Sequence, residues 1–193
     1  MKRTMLIAGA ACAALGLAAC GGKPTEPPNQ ENVTPDANPA ATVLTPADET
    51  LAATFLDKAA AGNLYEIEAG KIALAKSKNA EVTKFAQAMI DAHTQTGVDM
   101  QKAIAASGLA IIPAKAPAGD VQKMLTKLES TPAADFDKKY AGAMADGHQR
   151  MLDLLTHYAN AGDNQALKDF AAATAPAVQM HLNMAEGLKN GMR

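Results

Sequence analysis

Aromatic side chains are scarce: the chain of 193 residues has no tryptophan, 3 tyrosines and 4 phenylalanines. That scarcity removes the stacking platforms on which single-stranded nucleic acids and sugars are bound. Neither sign of charge dominates, with 18 Lys and Arg against 20 Asp and Glu, so there is no basic excess to hold nucleic acid. Runs of alternating β-branched residues, the mark of strands, are absent, and so are the nucleophile–base pair and phosphate loop that would point to a hydrolase or oxidase.

Long hydrophobic runs are also missing. The stretch from Leu6 to Leu17 is too short to span a bilayer, and Lys2 and Arg3 precede it. It reads as a cleavable export signal over residues 1–19. The signal closes on Leu17-Ala18-Ala19-Cys20, which resembles a lipobox, so Cys20 is expected to become the lipid-bearing first residue of a mature lipoprotein. Cys12 leaves with the signal, and no cysteine then remains for a disulfide or a thiolate metal site. Without Lys2 and Arg3 the basic count falls from 18 to 16 against 20 acids, a formal charge of about −4. The expected attachment is to the membrane through the lipid, with room for an envelope protein partner and none for nucleic acid. Gly21, unlike an aspartate at that position, is compatible with the periplasmic face of the outer membrane.

Residues 20–46 are Pro, Asn, Thr, Glu and Gly with almost no bulky apolar side chain, a composition that cannot offset its ordering entropy. They read as a tether to a domain spanning residues 47–193. In that domain Ala, Lys, Glu, Gln, Met and Leu dominate, which favours helix. The pattern predicts an all-α four-helix bundle. A first helix runs from Ala47 to Lys78 with Thr45 as N-cap, and a second from Ala80 to Ser107, stopped by Gly108. A short extra helix, Asp120 to Glu129, lies in the long connector. Thr131-Pro132 opens a third long helix to Ala161, and Asp163 is expected to cap a fourth that ends near Asn190. Two tight turns and one connector of about twenty-five residues allow a crossover.

At about 100° per residue the inward stripes can be read off. The first is Phe55, Ala59, Gly62, Glu66, Ala69 and Ala73, and the second is Val82, Phe85, Met89, His93, Thr96, Met100 and Ile104. The third is Ala141, Met144, His148, Met151, Leu155 and Tyr158, and the fourth is Leu167, Phe170, Thr174, Val178, His181, Ala185 and Leu188. Glu68, Asp91 and His157 fall outside these stripes. Each long helix thus turns one ionisable residue inward: Glu66, His93, His148 and His181. A rise of about 1.5 Å per residue puts all four within about two turns of one level near mid-height, whichever topology the connector takes.

Two readings of these four residues follow. In the leading one, Glu66 accepts hydrogen bonds from the histidines in a polar layer that fixes helix register, inside a scaffold or partner-binding bundle without catalytic function. Alternatively, three neutral imidazoles and a carboxylate suit a transition metal such as Zn, Fe or Cu, which makes a metal-binding or metal-responsive protein. Methionines one turn from the histidines (Met89, Met144, Met151, Met184) extend the metal reading toward copper, although methionine is more often a core filler. Pro176, five residues before His181, is expected to kink the fourth helix or free the carbonyl of Ala172.

Four groups of residues together resemble the domain-of-unknown-function family 4142. They are Ala59-Ala60-Ala61-Gly62-Asn63 with Glu66; Met89 with Asp91-Ala92-His93; Phe136-Asp137-Lys138-Lys139-Tyr140 with His148; and Leu167-Lys168-Asp169-Phe170 leading to Pro176 and His181. The resemblance runs from Thr54 to Leu188 and implies a ferritin-like four-helix bundle, usually exported, without an established activity. The Glu and ExxH ligand pairs of true ferritins are missing, so the resemblance does not carry iron oxidation with it.

Overall fold

The computed structural model describes residues 51–192, and among them every regular element is helical. In chain order these are α1 (Ala52–Lys76), α2 (Ala80–Ser107), α3 (Gly119–Glu129), α4 (Ala133–Ala161) and α5 (Gln165–Gly191). The helices match the predicted segments closely, and the connector holds the expected short helix. None of them is long and apolar enough to cross a membrane.

Local chemistry explains most of the ends. Asn79 caps α2 by accepting the Glu81 N–H at 2.9 Å, and Gly108 closes it in the left-handed region at φ 71°. Two ends differ from expectation. The first helix begins at Ala52, not Ala47, because Leu51 is extended; Thr45 lies outside the described residues. The Ala52 N–H is instead taken by the Asp163 carboxylate at 2.9 Å, across 111 residues. Asp163 also accepts the Tyr158 hydroxyl at 2.8 Å, so it is committed to packing. Its neighbour Asn164 caps α5, accepting the Leu167 N–H at 3.3 Å.

The same contacts set the topology. Asp163 reaches the start of α1, and the Asn164 side chain donates to the Ser107 carbonyl at the end of α2. The α4–α5 turn therefore sits at the end of the bundle where α1 starts and α2 finishes. At the other end Lys76, closing α1, donates to the Glu129 carbonyl of α3. The connector must climb the whole bundle, which makes it the crossover, and the long helices run up, down, down, up. Neighbours are α1 with α2 and α4, and α5 with α2 and α4, all antiparallel. Pro176 leaves α5 unbroken; it and Ala172 are exposed, so solvent can take the carbonyl that the proline does not.

The inward stripes are those expected, with Gly62, Thr96, Met151, Thr174 and Leu188 half-buried and the rest buried. They do not form one continuous apolar core. One cluster, around Phe85, Met89, Leu128, Phe136, Tyr140 and Met144, fills the α3 end. A second, around Phe55, Leu56, Met100, Leu155, Tyr158 and Phe170, fills the other end. Between them lies a polar waist.

Candidate functional site

The waist is built from one side chain of each long helix. Glu66 of α1, His93 of α2, His148 of α4 and His181 of α5 are 2%, 4%, 0% and 7% exposed, so all four are withdrawn from water. Periodicity places them: each replaces an apolar residue in its stripe at about the same height, and the antiparallel packing brings the heights together. Glu66 Oε2 lies 2.6 Å from His93 Nε2 and 3.0 Å from His148 Nε2. The imidazole centroids are 5.6 Å apart for His93–His148, 5.6 Å for His93–His181 and 5.4 Å for His148–His181. All four sequence-predicted residues meet. Glu68 is half-buried and paired with Lys71, and Asp91 and His157 are exposed. Cys20 lies outside the described residues.

Protonation follows from the outer contacts. His148 Nδ1–H donates to the Met144 carbonyl at 2.8 Å, and His93 Nδ1–H donates to Asn63 Oδ1 at 3.1 Å. In the neutral ring each Nε2 then carries a lone pair, and both lone pairs face the same carboxylate oxygen. None of the three inner atoms, nor His181 Nδ1, makes a hydrogen bond of acceptable geometry. Burial pushes the Glu66 pKa up, but the three histidines outweigh it and hold it below the ordinary value, so Glu66 is ionised at neutral pH. Burial lowers His148 despite the carboxylate, and burial with the two neighbouring imidazoles brings His181 down to about 4. At neutral pH the centre therefore holds a buried anion with His148 and His181 uncharged around it.

The donor set fits a transition ion. Candidate ligand atoms of the three histidines lie within 4.8 Å of one another. A triangle of that side has its centre about 2.8 Å from each corner, so bonds of ~2.0–2.1 Å need each ring to move by less than about 1 Å. Outer acceptors on Nδ1 are what metal-bound imidazoles usually carry, because they fix the tautomer that presents Nε2. Beside His93 a void of about 10 Å³, with Asn63, Thr96 and Thr174 in its wall, has room for about one water. Of the four methionines near the histidines, Met89 and Met144 belong to the apolar cluster and Met184 is 42% exposed, whereas Met151 lines the void beside His93.

Two parts of the site went unrecognised in the sequence. Asn63 orients His93, and its signal was the i,i+3 spacing to Glu66 that puts both on one face. Gly147 is the other, since a Cβ there would stand 3.2 Å from Glu66 Oε1. The small residue leaves the carboxylate its place, a requirement no local pattern announces.

No curated protein and no solved structure matches the chain significantly. A family profile does, over residues 34–188, beginning inside the segment read as a tether and covering all five helices but the last turn of α5. With a buried Glu–His waist in a helical bundle now described, the chain belongs to the family known as Domain of unknown function (DUF4142).

Proposed function

We propose that this protein is a metal-binding or metal-responsive bundle in which Glu66, His93, His148 and His181 hold one transition ion of the Zn, Fe or Cu class. The observation that carries this reading is His148. Its Nδ1 proton is committed to a backbone carbonyl, so in the neutral ring its Nε2 lone pair faces Glu66 Oε2 at 3.0 Å in a buried site. Two electron-rich atoms at that distance repel unless a cation lies between them or a proton is added, and burial disfavours the proton. When bound, the ion would act as a Lewis acid or redox centre. The chain's own residues fix two imidazole tautomers, supply one negative charge and exclude water.

A metal-free layer is the second reading, and one contact favours it. The 2.6 Å approach of His93 Nε2 to Glu66 is what an imidazolium–carboxylate pair would give inside a scaffold or partner-binding bundle. The finer fold assignment, ferritin-like, is part of the proposal and is supported by the up, down, down, up order around a central polar site. Export, lipidation of Cys20 and an envelope location with a protein partner are proposed on the leader alone.

Protein purified without a histidine tag, at neutral pH, tests the metal directly. Elemental analysis should find about one transition ion per chain. Adding Zn(II), Co(II) or Cu(II) to chelator-treated protein should raise its melting temperature. Sub-stoichiometric metal together with unchanged melting for every ion would reject the proposal and leave the hydrogen-bonded layer.

A further inference from the structure

A second site lies on the outside of the bundle, where α3 leans across α1 and α4. The cleft there encloses about 680 Å³, within the ~300–1,000 Å³ of small-molecule pockets. Its apolar wall includes the buried Tyr65 and Leu128 and the 40% exposed Met124. Its rim carries Lys127 from α3, Lys138 and Lys139 from α4, and Lys189 from the end of α5. Four cations face two acids, Asp135 and Asp146, in a chain whose formal charge is −2.

What distinguishes these lysines is their gathering around one apolar wall without being engaged by acids. Lys71, Lys102 and Lys123 each hold an acid three residues away, at 2.7, 2.7 and 2.9 Å. Among the described residues, none of the four cleft lysine ammonium groups has an ion-pair or hydrogen-bond partner, even with two aspartates in the same cleft. Unpaired cations drawn from three helices around an apolar wall are an arrangement that an anion with an apolar body would complete. We infer that this cleft binds a single-chain anionic amphiphile, its head group among Lys127, Lys138, Lys139 and Lys189 and its tail against Tyr65, Leu128 and Met124.

Gly142 supplies a selective probe of the cleft. It lines the space, and a Cβ built there meets nothing within 4 Å, so a side chain at this position can start into the cleft without a backbone clash. None of the lining residues belongs to the Glu–His centre, so this site and the metal site fail or stand separately.

The test is calorimetric titration of the full chain with decyl phosphate below its micelle concentration, with decyltrimethylammonium as the opposite-charge control. One decyl phosphate should bind per chain and the cationic homologue should not. Affinity should fall at least tenfold in Lys138→Gln/Lys139→Gln and in Gly142→Leu, with metal content unchanged and melting temperature not lowered in either, since leucine favours the helix interior over glycine. Co-sedimentation with phosphatidylglycerol vesicles that both variants abolish would make a bilayer lipid the source. Capture from solution without vesicle binding would make it a free amphiphile. Absence of saturable binding, equal binding of both head-group charges, or full affinity in Gly142→Leu would overturn the proposal.

Discussion

The two apolar ends of the bundle and its polar waist occupy the same four stripes, yet they are held by opposite physics. At the α4–α5 turn end, Phe55 stacks on Tyr158 with centroids 3.9 Å apart and meets Phe170 edge-on at 6.4 Å. Such contacts stabilise mainly through the apolar area they bury, and truncating them costs in proportion to the volume lost. At the waist each atom matters, because a buried carboxylate and three imidazoles are stable together only when protons or a cation are correctly placed. Stability is therefore expected to reside in the ends, and response to conditions in the middle.

The largest expected effect belongs to the ends. Phe55→Ala should cost roughly 3–5 kcal/mol in denaturant unfolding, with or without metal, because it empties a fully buried aromatic position. A cost that depended on metal would erase the distinction between ends and waist.

His148→Ala should abolish the metal-dependent rise in melting temperature. In the apo protein its cost should be smaller, on the order of 1–3 kcal/mol, from the loss of a buried polar partner. Equal destabilisation with and without added metal would favour the hydrogen-bonded layer.

Acid should act on the same residues. The folded pKa values of His148 and His181 lie below the ordinary histidine value, so the unfolded chain takes up protons that the native state refuses. Apo stability is thus complete above about pH 6.5 and is lost as pH falls toward the His181 value of about 4. Glu66, also lowered, adds a loss in the same direction at more acid pH. Melting curves from pH 7.5 to 4 should fall steadily, and the His181→Ala variant should fall less steeply. A melting temperature that rose on acidification would contradict the assigned protonation.

Asp163→Ala removes the partner of both the Ala52 N–H and the Tyr158 hydroxyl, and should cost about 1–2 kcal/mol at the apolar end while leaving metal uptake intact. The smallest effect is expected at His157, exposed on α4, where His157→Ala should stay within about 0.5 kcal/mol and leave metal binding unchanged. An effect there as large as at His148 would undo the division between inward and outward faces.

Helical periodicity, set by 3.6 residues per turn whatever the neighbours do, made the five helices and the buried stripes of the four long ones readable in the chain. The same regularity put Glu66, His93, His148 and His181 inward at one height, so their meeting was legible before any packing was known. The ends of α1 and α5 were less so. Asp163 follows Gly162 as an N-cap would, and only the packed turn shows that its carboxylate serves Ala52 and Tyr158 while Asn164 caps the helix. The path of the connector was likewise open, since a length of about twenty-five residues allows more than one route. Tertiary structure alone decided the partners of atoms: which imidazole nitrogen keeps its proton, which carboxylate oxygen two histidines share, and where Gly147 leaves it space. It also gathered Lys127, Lys138, Lys139 and Lys189 around one cleft, from three helices whose separate surfaces look ordinary in sequence. Periodicity is a property of one helix at a time, whereas protonation, coordination and clefts belong to the space between helices and arise only when the chain has closed around it.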